Sequence, residues 1–389
     1  MNTYHRLPVT FAKGEGAWLT DVNGKKYLDF TAGIAVNCLG HAYPPLVKAI
    51  SDQAAKLNHV CNYFQSDVSA VFAEKLVAAC AGVGMKRVFL SNSGAEANEG
   101  ACKLVRKYSF TKYGAGRHTI VTLRNSFHGR TITTLAATGQ DSFHKDFGPF
   151  TEGFVYVDGG DIDALDKALD PKTTAGFLME PIQGESGIWS QTKEYFEAAA
   201  RFCAERDILL IFDEIQSGMG RTGTFLACEG YGIKPDVVTL AKALGGGIPA
   251  GAVLAGEKAA DVFKIGDHGS TFGGNPIAAA AGTVVLDTVT KPDFLKEIVR
   301  KGKKIQDTLA SWKNPKITAI RGKGLIIGVD ITVEAWPVLE AAISRAQSAE
   351  SNAGLMLLGA GKKTIRILPP YIISDAEIDQ GLDILDGIL

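Results

Sequence analysis

The chain has 389 residues and is 46% hydrophobic, enough to bury a core without disulfide staples, and its length suits roughly two domains. Lys and Arg total 41 against 42 Asp and Glu, a net charge of -1, so composition offers nothing to a nucleic acid or other polyanion. No run approaches the ~18 uninterrupted apolar residues of a membrane helix, the six cysteines show no C-x-x-C spacing, and Met1–Arg6 has no apolar leader core. A cytoplasmic protein with reduced thiols is expected.

In chain order, residues 17–21 and 26–30 are short β runs on either side of Asn23-Gly24, a hairpin signal. Apolar spacing predicts helices over 45–57 and 66–81, a strand over 87–90 and a helix over 95–113. Strands are expected at 119–123 and 175–179, then an amphipathic helix over 193–206 feeding a strand at 208–212. Residues 237–241 form one more apolar run. Beyond it come a charged helix over 293–311, strands over 318–330 and 364–368, and a closing helix over 375–388. Continuous apolar strands alternating with helices predict an α/β domain over 45–275 with a mostly parallel sheet covered on both faces. The two chain ends, 1–44 and 276–389, are expected to form a second, smaller domain. Ligands of such sheets bind beyond the carboxyl ends of the strands.

Several chemistry-bearing residues fall at those ends. Lys242 directly follows the run 237–241 and precedes Gly245-Gly246-Gly247. Burial there would lower its pKa and expose the neutral amine that a Schiff-base lysine requires. Taken alone, a lysine snorkelling out of the strand end is the more ordinary reading. Asp213 closes the strand 208–212, either capping the next turn or serving as counter-charge to a cationic ring nitrogen. Ser93-Gly94-Ala95 opens a helix after strand 87–90, where free N–H groups suit an anion or simply begin a capped helix. Phe127 and Arg130 follow strand 119–123. An aromatic there could stack on a flat ring, and a guanidinium fork suits a carboxylate; a core phenylalanine and a solvated arginine are the ordinary readings. The loop 269–276, with Ser270 and Thr271, could hold phosphate oxygens or be a polar turn. Sequences of the type G-x-x-x-x-G-K-[ST], G-x-G-x-x-G, H-E-x-x-H and G-x-S-x-G do not occur, and the seven histidines show no metal-ligand spacing, so they are taken as structural.

Ser93–Asn98, Phe127–Arg130, Asp213–Gln216 and Leu240–Gly247, in this order, resemble the class III pyridoxal phosphate-dependent aminotransferases over nearly the whole chain. Within the class, 4–9, 33–41 and 180–185 carry a closer similarity to the acetylornithine aminotransferases, with the ornithine aminotransferases next. The resemblance implies fold type I, with a large sheet domain and a smaller α+β domain, and pyridoxal 5'-phosphate as cofactor. It implies that Lys242 binds the cofactor covalently and shuttles the proton. Asp213 would face the ring nitrogen, Gln216 the phenolic oxygen, Phe127 the ring, and Gly94 and Ala95 the phosphate. Thr271 and Ser270 would come from a neighbouring copy, making a homodimer obligatory. Arg130 would grip the α-carboxylate of an ω-amino donor and Arg366 that of glutamate or 2-oxoglutarate. Glu185 would mask Arg366 while the donor is bound, and Tyr4 and Ser270 join the substrate contacts. A protein of this fold without the chemistry, or another pyridoxal phosphate reaction on it, are the competing readings. No membrane or nucleic-acid partner is implied.

Overall fold

The computed structural model describes residues 1–347 and 353–389. Its central sheet has seven strands in the order Met85–Ser91, Gly251–Gly256, Val237–Leu240, Leu209–Asp213, Thr174–Met179, Thr119–Leu123 and Phe154–Val157. The last five are mutually parallel, while Gly251–Gly256 runs antiparallel to both its neighbours. Thr174–Met179, Leu209–Asp213 and Gly251–Gly256 are buried at every position, as strands covered on both faces must be.

The two covers follow from side-chain alternation along the strands. Leu209 and Ile211 point to one face, where Ala97, Ala101, Leu104 and Val105 of helix Gly94–Tyr113 pack; that spacing of three and four residues is one helical stripe. Leu210 and Phe212 point the other way, against Tyr195, Phe196, Ala199 and Phe202 of helix Lys193–Glu205. Thr192 starts that helix by accepting the Tyr195 N–H on its hydroxyl.

Two smaller sheets draw on the chain ends. The hairpin Trp18–Asp21 and Lys26–Asp29 pairs as its Asn-Gly turn implies, Phe11–Glu15 adds to one side, and Ala353–Met356 lies parallel to the other. The single strand expected over 318–330 is instead two, Ile317–Lys323 and Ile326–Ile331, folded into a hairpin at Gly324. Thr364–Ile367 joins this hairpin, with Arg366 opposite Gly328. The antiparallel strand Gly251–Gly256 and the edge strand Phe154–Val157 had no counterpart in the sequence reading.

Candidate active site

Five strands of the central sheet end around one cavity of about 460 Å³. Lys242 enters it immediately after Val237–Leu240. Its backbone adopts φ +48°, a left-handed conformation that non-glycine residues seldom take and that the fold must hold in place. The side chain is enclosed by protein yet faces the cavity, and its pKa is lowered to about 8, first by desolvation and then by the Arg366 charge; Asp213, Glu180 and Glu185 oppose the shift. Among the described residues its amine makes no hydrogen bond or ion pair.

Asp213 ends the next strand, buried and oriented by three donors. Asn98 Nδ2 and His128 Nδ1 each lie 2.8 Å from its Oδ2, and the Ile215 N–H is 3.1 Å from its Oδ1. The Thr239 hydroxyl donates to Asn98 Oδ1 at 2.8 Å, which turns the Asn98 amide protons toward Asp213 and the His128 carbonyl. His128 Nε2 is buried without a partner among the described residues. The histidines were set aside in the sequence reading; this one is part of the site's polar frame.

Gly94 and Ala95 line the cavity at the first turn of a 20-residue helix. Ser93 caps it by accepting the Glu96 N–H, leaving the N–H groups of Gly94 and Ala95 without intrahelical partners. A side chain at Gly94 would put its Cβ 2.8 Å from Ile215 Cδ1, so glycine lets backbone and cavity meet there without displacing Ile215. Free N–H groups, the positive end of a long helix dipole and a missing side chain together suit a phosphate.

Phe127 and Arg130 line the same cavity. The exposed Arg130 guanidinium lies 4.1 Å from the ring centre of Phe143 and 5.4 Å from that of Phe127, and has no acidic partner among the described residues. Gln216 is buried beside Arg366, whose Nη1 donates to Gln216 Oε1 at 3.2 Å and to the Gly184 carbonyl at 2.7 Å. Arg366 is almost fully buried and its Nε has no partner among the described residues; desolvation lowers its pKa to about 10, against the charges of Glu185 and Glu180. Glu185 itself accepts from Gln140 at 3.1 Å.

Five of the residues singled out from sequence do not line this cavity: Arg366 and Glu185 lie behind Gln216 and Gln140, and three others stand apart from it. Ser270 and Thr271 line a separate groove with Asn92, Glu96 and Phe272, and Asn92 Nδ2 donates to the Ser270 hydroxyl at 3.2 Å. Tyr4 is exposed on a surface segment with Arg6 over its ring.

Glu180 lines the cavity without having been assigned a role from sequence. It closes strand Thr174–Met179 and accepts the N–H groups of Phe127 at 2.9 Å and Gly184 at 3.1 Å. One carboxylate thereby joins the two loops that carry the aromatic and Glu185. Burial pushes its pKa up to about 7, although His128 pulls it down. The criterion that singled out Asp213, an acid at the end of an all-apolar strand, would have found Glu180 as well.

The description Aminotransferase class-III matches residues 1–389. The acetylornithine aminotransferase of Caldanaerobacter subterraneus is 47% identical over 100% of this chain and 96% of its own length; that of Aquifex aeolicus is 43% identical over 100% and 99%. Among solved structures, the ornithine aminotransferase of Toxoplasma gondii, which holds PLP at partial occupancy in its active site, superposes with a TM-score of 0.92 at 33% identity, covering 100% of this chain and 90% of that one. The N-acetylornithine aminotransferase of Stenotrophomonas maltophilia gives 0.85 at 36%, covering 99% and 96%. With a lysine, a strand-end aspartate and a helix N-terminus converging as its sequence pattern requires, the chain belongs to the class-III aminotransferases.

Proposed function

We propose that this enzyme moves the δ-amino group of N-acetylornithine to 2-oxoglutarate, giving N-acetylglutamate 5-semialdehyde and glutamate, a step toward arginine. The carrying observation is two guanidinium groups around Lys242: Arg130 lines the same cavity and has no acidic partner among the described residues, while Arg366 is buried behind it and joined to it through Gln216. Relatives named acetylornithine aminotransferase at 43–47% identity over the full chain support the donor.

The residues fit pyridoxal 5'-phosphate. Lys242 would hold it covalently, Asp213 would face its ring nitrogen, Gln216 its phenolic oxygen and Phe127 its ring, with Gly94 and Ala95 toward the phosphate. When bound, the group supplies an electron sink that acidifies the substrate carbon bearing the amine. Asp213, oriented by His128 and Asn98, would face the ring nitrogen. Lys242 Nζ, neutral above pH about 8, takes the proton from the amine-bearing carbon. Arg130 holds the donor's α-carboxylate, which places its distant δ-amine at the lysine. Arg366 holds the α-carboxylate of glutamate or 2-oxoglutarate, and Glu185 masks it while the donor's aliphatic chain is present, since an unpaired buried cation there would be costly. Tyr4 and Ser270 would add further substrate contacts.

Residues 45–275 hold the cofactor in this reading, and 1–44 with 276–389 bring Arg366 to it. A homodimer completes the phosphate seat with Ser270 and Thr271 of the second copy. Exposed apolar side chains near that loop support it: Phe272, together with Tyr63 and Phe64 on the segment that Asn62 ties to Ser270 and Gly273. Six free cysteines agree with the reducing cytoplasm, and no helix among the described residues is long and apolar enough to cross a membrane.

A donor panel with 2-oxoglutarate tests the assignment. N-acetylornithine is expected to give the highest kcat/KM. Ornithine ahead of it would match the fold similarity to ornithine aminotransferases instead, and 4-aminobutyrate ahead of both would refute the donor.

A further inference from the structure

Glu185 has two possible partners in this structure, and it occupies the one that the masking role does not explain. Its carboxylate accepts from Gln140 Nε2 at 3.1 Å, while no Glu185–Arg366 ion pair lies within 4.0 Å among the described residues. Arg366 meanwhile keeps a buried Nε without a partner, having committed Nη1 to the Gly184 carbonyl and to Gln216. The buried cation therefore has no carboxylate partner among the described residues while the acid is held elsewhere.

The parking place is a built one. Gln140 Nε2 also donates to the Ser126 carbonyl at 3.0 Å, so both amide protons are assigned and the amide cannot turn its oxygen toward Glu185 without losing both bonds. Its backbone is pinned to the carboxyl end of strand Thr119–Leu123. The Gly139 N–H donates to the Ser126 hydroxyl at 3.0 Å, and the Gly139 carbonyl accepts the Asn125 N–H at 2.7 Å. A Cβ at Gly139 would lie 2.1 Å from the Leu123 carbonyl oxygen, so no other residue fits this approach. The backbone around Glu185 is equally fixed. Gly184 donates to Glu180 and accepts from Arg366, Gln183 Nε2 donates to the Arg124 carbonyl at 2.9 Å, and Arg321 Nε donates to the Gly187 carbonyl at 2.7 Å. With main chain held on both sides, only the Glu185 side chain is left to move.

Resting on the reading of Arg366 as the glutamate grip, we propose that Gln140 is a positioning residue: it seats the Glu185 carboxylate whenever Arg366 must be free for the α-carboxylate of glutamate or 2-oxoglutarate. The switch is then a choice between a guanidinium and a fixed amide, rather than between a guanidinium and water. A neutral amide is the weaker partner, so Glu185 returns to Arg366 when the donor's apolar chain arrives. It is still strong enough to keep the acid from competing with the incoming carboxylate.

The test uses the holoenzyme and follows each half-reaction separately by the cofactor's absorbance change, in wild type, Gln140→Leu, Glu185→Ala and the double variant. Gln140→Leu keeps the size but removes the seat. It should raise the KM for 2-oxoglutarate and glutamate by about tenfold relative to that for N-acetylornithine, the scale of one hydrogen bond to a charged group. Gln140→Glu, which offers a like charge, should shift the ratio in the same direction. In the Glu185→Ala background the Gln140→Leu effect should vanish. An equal loss in both half-reactions, or an effect that persists without Glu185, would mean that Gln140 acts only by holding Ser126 and would overturn the proposal. Arg366→Lys separates the two levels: if it leaves 2-oxoglutarate binding intact, the glutamate grip itself is wrong. If it weakens that binding while Gln140→Leu shifts nothing, Gln140 alone is refuted.

Discussion

The floor of the cavity and its rim are built on different principles. Lys242, Asp213, Glu180 and Gly94 make the floor, each within a few residues of the end of a strand whose pairing fixes its place. The rim consists of Arg130, stacked on two aromatic rings and exposed, the Glu185 loop, and Arg366 on a strand of a different sheet. Tyr4 and the loop with Ser270 and Thr271 lie outside it within a single chain. The floor is held in place within one copy because hydrogen-bonded strands cannot shift without losing a ladder. Two substrates of different length must be exchanged there, and the Glu185 side chain, held by its one contact to Gln140, is the part left to adapt.

That contrast ranks the expected damage. Lys242→Ala removes the proton carrier of both half-reactions and should lower kcat by about 10⁴-fold or more in steady-state assays. A variant retaining a tenth of the activity would deny the floor its central role. Arg366→Lys, which loses a buried bidentate fork, should weaken the glutamate half-reaction by about 10²-fold while the N-acetylornithine half-reaction falls far less. Arg130→Lys should do the reverse by about tenfold, a smaller effect because the site is open to water and screening. Single-turnover measurements with each substrate separate them, and equal losses in both half-reactions would erase the division of labour.

The floor was also the legible part of the sequence. Lys242 and Asp213 stand at the ends of apolar runs, and Gly94 opens a helix after another, so local pattern and the rule about strand ends sufficed. Glu180 was legible by the same pattern, since it follows the apolar run 175–179 directly. His128 was not: its partner is 85 residues away, and no local spacing announces an Asp213 contact. The antiparallel strand Gly251–Gly256 was hidden because a short run rich in alanine and glycine has little β signal, and only its two neighbours make it a strand. The hairpin at Gly324 was read through as one strand, although Gly322-Lys323-Gly324 between two β-branched runs is the turn mark that separates them. Gln140 and the Arg366–Gln216 contact depend on long-range packing that no window of sequence contains.

Milder perturbations probe the seams between floor and rim. Glu180→Gln would set an amide NH₂ against one of two backbone donors, at a cost of roughly 1–3 kcal/mol. Thermal unfolding should show a lower Tm, together with a weaker Phe127 stacking signature in the cofactor's circular dichroism. In protein stripped of cofactor, Lys242 should acylate with a rate that rises through pH about 8, because burial and Arg366 lower its pKa and only the neutral amine reacts; surface lysines should rise some two units later. A Lys242 profile matching theirs would contradict the enclosed, desolvated lysine described here.

The most direct measurement is borohydride reduction of the native enzyme followed by peptide mass analysis. The account predicts one pyridoxyl group per chain, on Lys242 within the peptide spanning 237–247. An adduct on another lysine, or none on a protein that still turns over, would contradict a floor built around Lys242.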